Sequence, residues 1–230
     1  MAFFALATFV VLLLTLWFVP SLPVQQGMSY GSQLAVLRKP MLWASIMAVI
    51  FLNGSIFGVF NYLAEYLGAV AGVAPTLVSI LLFVYGLCNI VGSMLAGNLL
   101  TVRPLLVVKV FPLAVAAIYA VLLGGGSVWP LMGLMVVLWG IMGGINANIN
   151  QYWLASAAPE APDFANGLFL TAANLGCVLG TTVSGRLIEA WGTGYVVLGG
   201  LLFCLLAALT VWAQCYQQRM NPSLTVQAEH

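Results

Sequence analysis

Long stretches without any charged residue dominate this sequence of 230 residues. Only 5% of the residues are Asp, Glu, Lys or Arg. The uncharged stretches are 1–37, 40–64, 66–102, 110–159, 164–185 and 190–218. A helix needs about 20 apolar residues to cross roughly 30 Å of hydrocarbon. Each stretch is therefore long enough for one membrane span, and residues 110–159 are long enough for two.

Seven membrane-spanning helices account for these stretches. The sequence Gly124-Gly125-Gly126-Ser127 predicts the turn that divides the longest one, because glycine tolerates the backbone conformations of turns. The first span has neither a positive leading region nor a small-residue cleavage site, which disfavours a signal peptide. The predicted spans are 3–19, 41–62, 76–100, 105–123, 128–153, 166–188 and 194–215. We expect an all-α membrane protein with little mass outside the bilayer.

The composition excludes several functional classes. Hydrophobic residues make up 63% of the chain, whereas soluble domains contain about 45–50%. A net charge of +1 provides no basic surface for nucleic acid. The four cysteines form no C-x-x-C pair and the only histidine is His230, so we predict no metal site and no cofactor. The sequence offers no Ser/His/Asp set, paired carboxylates or phosphate loop, so we predict no enzyme.

The basic residues predict an orientation in the membrane. If the loop 21–40 is cytoplasmic, five basic residues lie inside and only Arg186 lies outside. The amino terminus is then outside and the carboxyl terminus is inside. The predicted organisation is a leading helix (1–20), a cytoplasmic loop (21–40), a six-helix unit (41–215, in parts 41–123 and 128–215) and a cytoplasmic tail (216–230).

The polarity of the spans varies with a period of three. The first, fourth and seventh are almost purely apolar, whereas the others carry amides, hydroxyls and glycines, so we expect every third span to face lipid. A weak repeat has offsets of 90 and 88 residues: Gly54-x7-Tyr62 with Gly144-x7-Tyr152, and Gly92-x4-Gly97 with Gly180-x4-Gly185. An odd number of helices per repeat inverts the second copy, as in many secondary transporters. We predict one leading helix plus two inverted three-helix repeats.

Polar side chains in the second and fifth spans are candidates for solute binding. The fifth span holds four amides within six residues, which suggests either a water-filled cavity or an interhelical hydrogen-bond cluster. The second span alternates amide and aromatic groups, which suits a sugar or an amphipathic drug, although simple packing is the alternative. The predicted cavity-lining residues are Asn53, Phe57, Asn61, Asn146 and Asn150.

Other charged and small residues allow narrower expectations. Glu65 continues the polar stripe of the second span and is either a proton carrier or an interfacial carboxylate. Arg186 and Glu189 are spaced to form an ion pair. In the sixth span, Gly176 and Gly180 lie on a small-residue face opposite a polar face, which predicts close approach of a neighbouring helix.

Several segments carry a family resemblance: Leu37-Arg38-Lys39-Pro40 before a helix, Asn53-Gly54-Ser55 through Tyr62, Gly92-x4-Gly97-x-Leu99, and Ala173-Asn174-Leu175-Gly176 through Gly185-Arg186-Leu187. With these segments the chain resembles the carboxy-terminal half of a major facilitator superfamily transporter. The likeness is greatest to bacterial drug/proton antiporters of the arabinose-efflux-permease type. The resemblance implies twelve helices in two halves, of which this chain supplies the sixth to the twelfth.

The resemblance also implies a function and partners. It implies proton-coupled efflux of a sugar, nucleoside-like solute or drug by alternating access in the inner (plasma) membrane. The implied partners are the lipid bilayer, a small-molecule solute and a missing amino-terminal half. Arg103 lies near the place of the family's Gly-x-Leu-x-Asp-Arg loop motif and would gate, although the aspartate is absent and the arginine is shifted by one. The residues expected to face the missing half are Asn89, Gly92, Gly97, Asn174, Gly180 and Gly185.

Two alternatives to transport stay open. One is a non-transporting membrane subunit that scaffolds or regulates a partner. The other is a truncated inactive product, because the chain begins directly before a span and would fit a fragment, a misassigned start or half of a split transporter.

Overall fold

The computed structural model describes residues 2–18, 34–125 and 128–220, which fold into α-helices joined by short connections. The helices are α1 (Ala2–Phe18), α2 (Pro40–Phe60), α3 (Leu63–Ala69), α4 (Pro75–Val102), α5 (Pro104–Gly125), α6 (Trp129–Ala157), α7 (Pro162–Trp191) and α8 (Val196–Met220). Short 3-10 helices lie at Val36–Arg38 and Thr193–Tyr195. The described residues contain no strand, so the all-α prediction is confirmed.

The predicted spans correspond to the long helices. Within the described residues, six helices (α2 and α4 to α8) are long and apolar enough to cross a membrane, and α1 is a shorter apolar helix of 17 residues. The helices extend beyond the predicted spans by up to five residues, as at the end of α8. Residues 21–33 of the predicted loop, the turn residues Gly126 and Ser127, and residues 221–230 of the predicted tail lie outside the described residues.

Prolines mark the beginnings of five long helices. A proline occupies the first or second position of α2, α4, α5, α6 and α7. Its missing N–H would have no partner within the helix there, and its fixed φ suits the first turn. The prolines therefore explain why most of these helices begin slightly before the predicted spans.

The short helix α3 was not expected from the sequence. Its Tyr66 hydroxyl donates a hydrogen bond of 2.7 Å to the carbonyl oxygen of Leu122 on α5. Glu65 lies exposed in its first turn and accepts a hydrogen bond of 2.9 Å from Thr193. Glu65 therefore lies beyond the end of the α2 span, in the place expected of an interfacial carboxylate.

Two helix pairs, α2 with α7 and α4 with α6, make the most extensive contacts of the bundle. The predicted repeat exchanges α2 with α6 and α4 with α7, so these two pairs are equivalent to each other. The contact positions also correspond. Gly176 packs on the backbone of Ile50, and at the equivalent positions Cys88 and Gly140 are in contact, although the glycine there belongs to the other helix of the pair. The packing of these two pairs is therefore consistent with the predicted inverted repeat.

The helices differ in how much of their surface the bundle covers. The described side chains of α1 are exposed throughout, and α5 and α8 each present exposed leucines on their outer sides, as expected for lipid-facing helices. Of the four polar spans, α2 is central, with 72% of the span buried. In contrast, α4 and α7 bury only 22% each, less than the 39% of α5 and the 50% of α8, because each packs chiefly on one neighbour. The expectation that the polar spans are the interior ones is therefore wrong for α4 and α7.

Ion pairs lie at both ends of the bundle. Arg186 and Glu189 are 3.1 Å apart, which confirms the predicted pair. At the other end, the ammonium of Lys39 is 2.6 Å from the carboxylate of Glu160, which joins the start of α2 to the connection between α6 and α7. Partial burial raises the pKa of Glu160, but the hydrogen bond and charge of Lys39, with a backbone hydrogen bond, outweigh it and hold the pKa below its ordinary value.

The glycine contacts predict opposite effects of alanine at two positions of α7. A methyl group at Gly180 would lie 2.7 Å from the Cα of Gly54, whereas at Gly167 it would meet no atom within 4 Å. Gly180→Ala should destabilise the bundle by about 1–3 kcal/mol through overpacking. Gly167→Ala should leave stability unchanged or raise it by up to about 1 kcal/mol, because alanine favours helix. Thermal unfolding of the detergent-solubilised protein measures both, and equal midpoints for the two variants would contradict the packing.

The pair of Lys39 and Glu160 predicts a pH-dependent contribution to stability. A carboxyl whose pKa is lowered by folding stabilises the fold above its ordinary pKa, and this contribution is lost as the pH falls through the lowered value. Glu160→Gln should therefore cost no more than about 1 kcal/mol at pH 7, since the pair is partly exposed. Thermal unfolding of both proteins between pH 7 and pH 3 should show the difference disappearing in acid. Glu189→Gln, which removes a more exposed pair, is the control with a smaller effect.

Candidate functional site

Three predicted amides lie buried between the central helices. The side-chain amide of Asn146 on α6 donates a hydrogen bond of 3.4 Å to Oδ1 of Asn53 on α2. Asn53 in turn donates 3.0 Å to the carbonyl oxygen of Val49 in its own helix. Asn150 lies one turn beyond Asn146 on the same face of α6 and is also buried. The structure therefore brings Asn53 and Asn146 into direct contact across the centre of the bundle.

The buried amides retain hydrogen-bonding capacity that the described residues do not use. Asn150 is 0% exposed, and neither its amide nitrogen nor its carbonyl oxygen has a protein partner. Oδ1 of Asn146 also has no hydrogen-bond partner in the described part of the protein. A buried polar group without a partner costs about 1–3 kcal/mol, and native proteins keep few of them. Three amide atoms without a partner among the described residues thus lie in adjacent turns of α6.

The other two predicted residues lie on the surface of α2. Phe57 is 37% exposed, and Asn61, one turn further along, is exposed as well. The amide nitrogen of Asn61 donates 2.7 Å to the hydroxyl of Thr181 on α7 and lies 3.8 Å from the sulfur of Cys177. The five predicted residues therefore form two groups: the buried amides of α2 and α6, and an exposed pair made by Phe57 of α2 and by Asn61, the residue that follows the last turn of this helix. Their role as the lining of a cavity stays a prediction.

An aromatic cluster that the sequence did not reveal lies behind Phe57. The ring of Phe60 stacks on Tyr85 of α4 with centroids 4.7 Å apart. Tyr85 meets the fully buried Trp139 of α6 edge-on at 5.6 Å, and Tyr119 of α5 meets the same indole at 5.5 Å. Isolated aromatic residues in membrane spans give no periodic signal, so nothing in the sequence singled out Trp139.

A second missed feature is a buried polar network at the end of the bundle near Lys39. The indole N–H of Trp153 donates 3.0 Å to Oε1 of Gln214, whose Nε2 donates 2.7 Å to the hydroxyl of Ser45. The network joins α6, α8 and α2, and both side-chain groups of Gln214 are used in it. A single amide in the otherwise apolar seventh span was the available signal.

The residues expected to face a missing half lie in different environments. Gly92 packs on the backbone of Ile141 and Gly180 on that of Gly54, so both take part in contacts within this chain. Asn174 and Gly97 are exposed, Asn89 lies against Gly143, and Gly185 lies near the hydroxyl of Tyr62. Contact of any of the six with a second half stays a prediction.

Arg103 forms the joint between two helices. It is exposed, ends α4 through a hydrogen bond from its N–H to Leu99, and accepts another from Val107 of α5. A gating role for Arg103 stays a prediction. The described residues contain no group of His, Cys, Asp and Glu that could hold a metal ion.

Comparison with known proteins gives one family. The family model described as Major Facilitator Superfamily matches residues 1–181 and 42–225. The chain is 32% identical over 180 residues, or 76% of its length, to a protein of Pseudomonas aeruginosa PAO1 named transcription regulatory protein OpdE. It is 26% identical over 80% of its length to a protein of Helicobacter acinonychis, and 23% identical over 89% to one of Pasteurella multocida; both are named "Probable sugar efflux transporter".

The matched regions cover only part of those relatives. The chain spans 43% of the Pseudomonas protein, 47% of the Helicobacter protein and 50% of the Pasteurella protein. The chain therefore spans about half the length of the curated relatives it matches.

The hydrogen bond between Asn53 and Asn146 predicts a non-additive pair of substitutions. Asn53→Leu or Asn146→Leu alone leaves a buried amide without its partner and should cost about 1–3 kcal/mol. The double variant removes both amides, so its loss should be clearly smaller than the sum of the single losses. The measurement is thermal unfolding in detergent. Asn174→Leu, at an exposed amide that bonds only within its own helix, should change the midpoint little. Additive losses would show that the two amides are not coupled.

Proposed function

The chain belongs to the Major Facilitator Superfamily, and we propose that it forms the carboxy-terminal half of a secondary transporter that exports a small polar solute by alternating access. The solute is a sugar, a nucleoside-like molecule or a drug, and the protein lies in the inner membrane with its amino terminus outside. Two observations support this proposal: relatives named as sugar efflux transporters, and a chain that spans half of their length.

One structural observation carries the proposal: amide groups are exposed on helices whose other exposed side chains are largely apolar. Asn61 lies exposed at the end of α2, and Asn174 and Thr182 lie exposed on α7. Polar side chains within a membrane normally face protein or a water-filled cavity, because contact with hydrocarbon is costly. The face formed by α2 and α7 is therefore the one that would meet a second half and enclose a solute.

The positions of the acidic residues in the described part of the chain are relevant to proton coupling. Glu65, Glu160, Asp163 and Glu189 lie at helix ends or in connections rather than in the middle of a span. If export is coupled to protons, the carboxylate that carries them across the membrane then belongs to the other half. Glu65→Gln should accordingly leave the pH dependence of export unchanged.

A transport assay in a deletion strain of the parent organism tests this function. Cells preloaded with a labelled sugar should retain it when the gene is deleted and release it when the gene is restored. Asn146→Leu combined with Asn150→Leu should abolish release, because the variant removes the unpartnered amides, while its level in the membrane stays normal. Ala147→Leu, on the exposed side of the same helix, is the matched control and should release normally. Normal release by the double variant would count against these amides as solute ligands.

Regulation of transcription is a second candidate, because the Pseudomonas relative carries that name. A regulatory membrane protein would change transcript levels on deletion without changing release of any labelled solute. Labelling with a water-soluble thiol reagent separates the two mechanisms further. Cysteine introduced at position 146 or 150 should react if water reaches these amides during transport, and should stay unreactive in a permanently packed scaffold.

A further inference from the structure

The exposed ring of Phe57 packs against a cluster of other aromatic rings on its protein side. α2 is the most buried span, yet Phe57 remains 37% exposed. Phe60 meets it edge-on with centroids 6.3 Å apart and itself stacks on Tyr85, which rests against Trp139. Aromatic pairs at these separations favour defined relative orientations. The protein therefore presents one pre-organised aromatic ring on an open surface of α2.

The amide one turn further along is oriented in a particular way. Nδ2 of Asn61 is directed at the protein, with the hydroxyl of Thr181 at 2.7 Å and the sulfur of Cys177 at 3.8 Å. A side-chain amide has two N–H donors on this nitrogen and an acceptor on the carbonyl oxygen. Since the nitrogen is occupied, the exposed side chain offers its Oδ1 to a ligand. Phe57 and Asn61 are four residues apart, so ring and acceptor lie on the same face of the helix.

We propose that Phe57 and Asn61 form a subsite for a ligand that combines a flat apolar face with an adjacent hydrogen-bond donor, and that a pyranose ring is the preferred ligand. This inference rests on the proposed transport of a polar solute and narrows its class. The C–H face of a pyranose stacks on the phenyl ring, while a neighbouring hydroxyl donates to Oδ1 of Asn61. An open-chain polyol has the hydroxyls without the flat face. A benzylic amine shares both features and is the alternative source of the same chemistry.

A native cysteine beside the subsite reports on its occupancy. Cys177 is half-buried and lies next to Asn61, and Cys88 is also half-buried, whereas Cys204 and Cys215 are buried. The Cys88→Ser variant, expressed in the deletion strain, therefore leaves Cys177 as the accessible thiol in the described part of the chain. In membrane vesicles from these cells, methyl glucopyranoside should slow the reaction of Cys177 with N-ethylmaleimide in a saturable manner. Glucitol at equal concentration should leave the rate unchanged.

Substitutions of Phe57 separate stacking from other effects. Phe57→Leu should raise the pyranoside concentration for half-protection about tenfold, as expected for loss of one stacking contact. Phe57→Tyr keeps a ring and should retain protection. Met47→Leu, at another exposed position of α2, should behave like the parent protein. Asn61→Leu provides a second loss variant that does not depend on how Phe57→Leu folds, and the membrane level of every variant is measured alongside.

The outcomes decide the proposal independently of transport. Protection by pyranoside that requires the Phe57 ring supports the subsite and its preferred ligand. Protection by benzylamine alone supports the shared chemistry but overturns the preference for a sugar. Equal protection by glucitol, or protection that survives both Phe57→Leu and Asn61→Leu, overturns the subsite. If the cells release solute but the pyranoside does not protect Cys177, the subsite is contradicted and the transport proposal is not. If the pyranoside protects Cys177 but no solute is released, the transport proposal is contradicted and the subsite is still supported.

Discussion

Close contact between helix backbones at glycine is the constraint on which the rest of this structure depends. In the contact of α2 with α7, Gly58 and Gly54 lie against Gly180, and in that of α4 with α6, Gly144 lies against Asn89 and Ser93. Apolar side chains gain little by leaving lipid for another helix, so association in a membrane relies on packing and hydrogen bonds across such small-residue faces. One helix of each pair, α2 of the first and α6 of the second, also packs on the other at the centre of the bundle, where Asn53 and Asn146 share a buried hydrogen bond.

The sequence predicted the helices well because the bilayer imposes a strict physical requirement on them. Every backbone polar group must be satisfied within the span, and charges are excluded from it, so uncharged stretches report helices directly. The helix ends were less predictable, because prolines and first-turn residues outside the apolar core decide where helices such as α7 begin. The short helix α3 was missed, since its seven residues give no apolar run and its position depends on the bond from Tyr66 to Leu122 of α5.

The candidate site was predictable in residue type but not in arrangement. Helical spacing placed Asn146 and Asn150 on one face, yet only the neighbouring helices determine whether that face is buried or open. The five predicted residues consequently separate into a buried amide group and the exposed pair of Phe57 and Asn61. Nothing in the sequence distinguished Trp139, and Gln214 was visible only as a lone amide, because the importance of each arises from partners far away in sequence.

The predicted inverted repeat allows the hydrogen bond of Asn61 to be compared with the equivalent position in the second repeat. At the repeat offsets of 90 and 88 residues, Asn61 corresponds to Gln151, and Thr181 to Ser93. Asn61 and Gln151 lie towards opposite ends of the bundle, and only the first pair is joined, at 2.7 Å, while Ser93 donates instead to the carbonyl oxygen of Gly144. Two copies of one helical unit with the same donor and acceptor types therefore adopt different local arrangements. A bundle built this way is chemically similar at its two ends but differs in which end has its amide and hydroxyl joined.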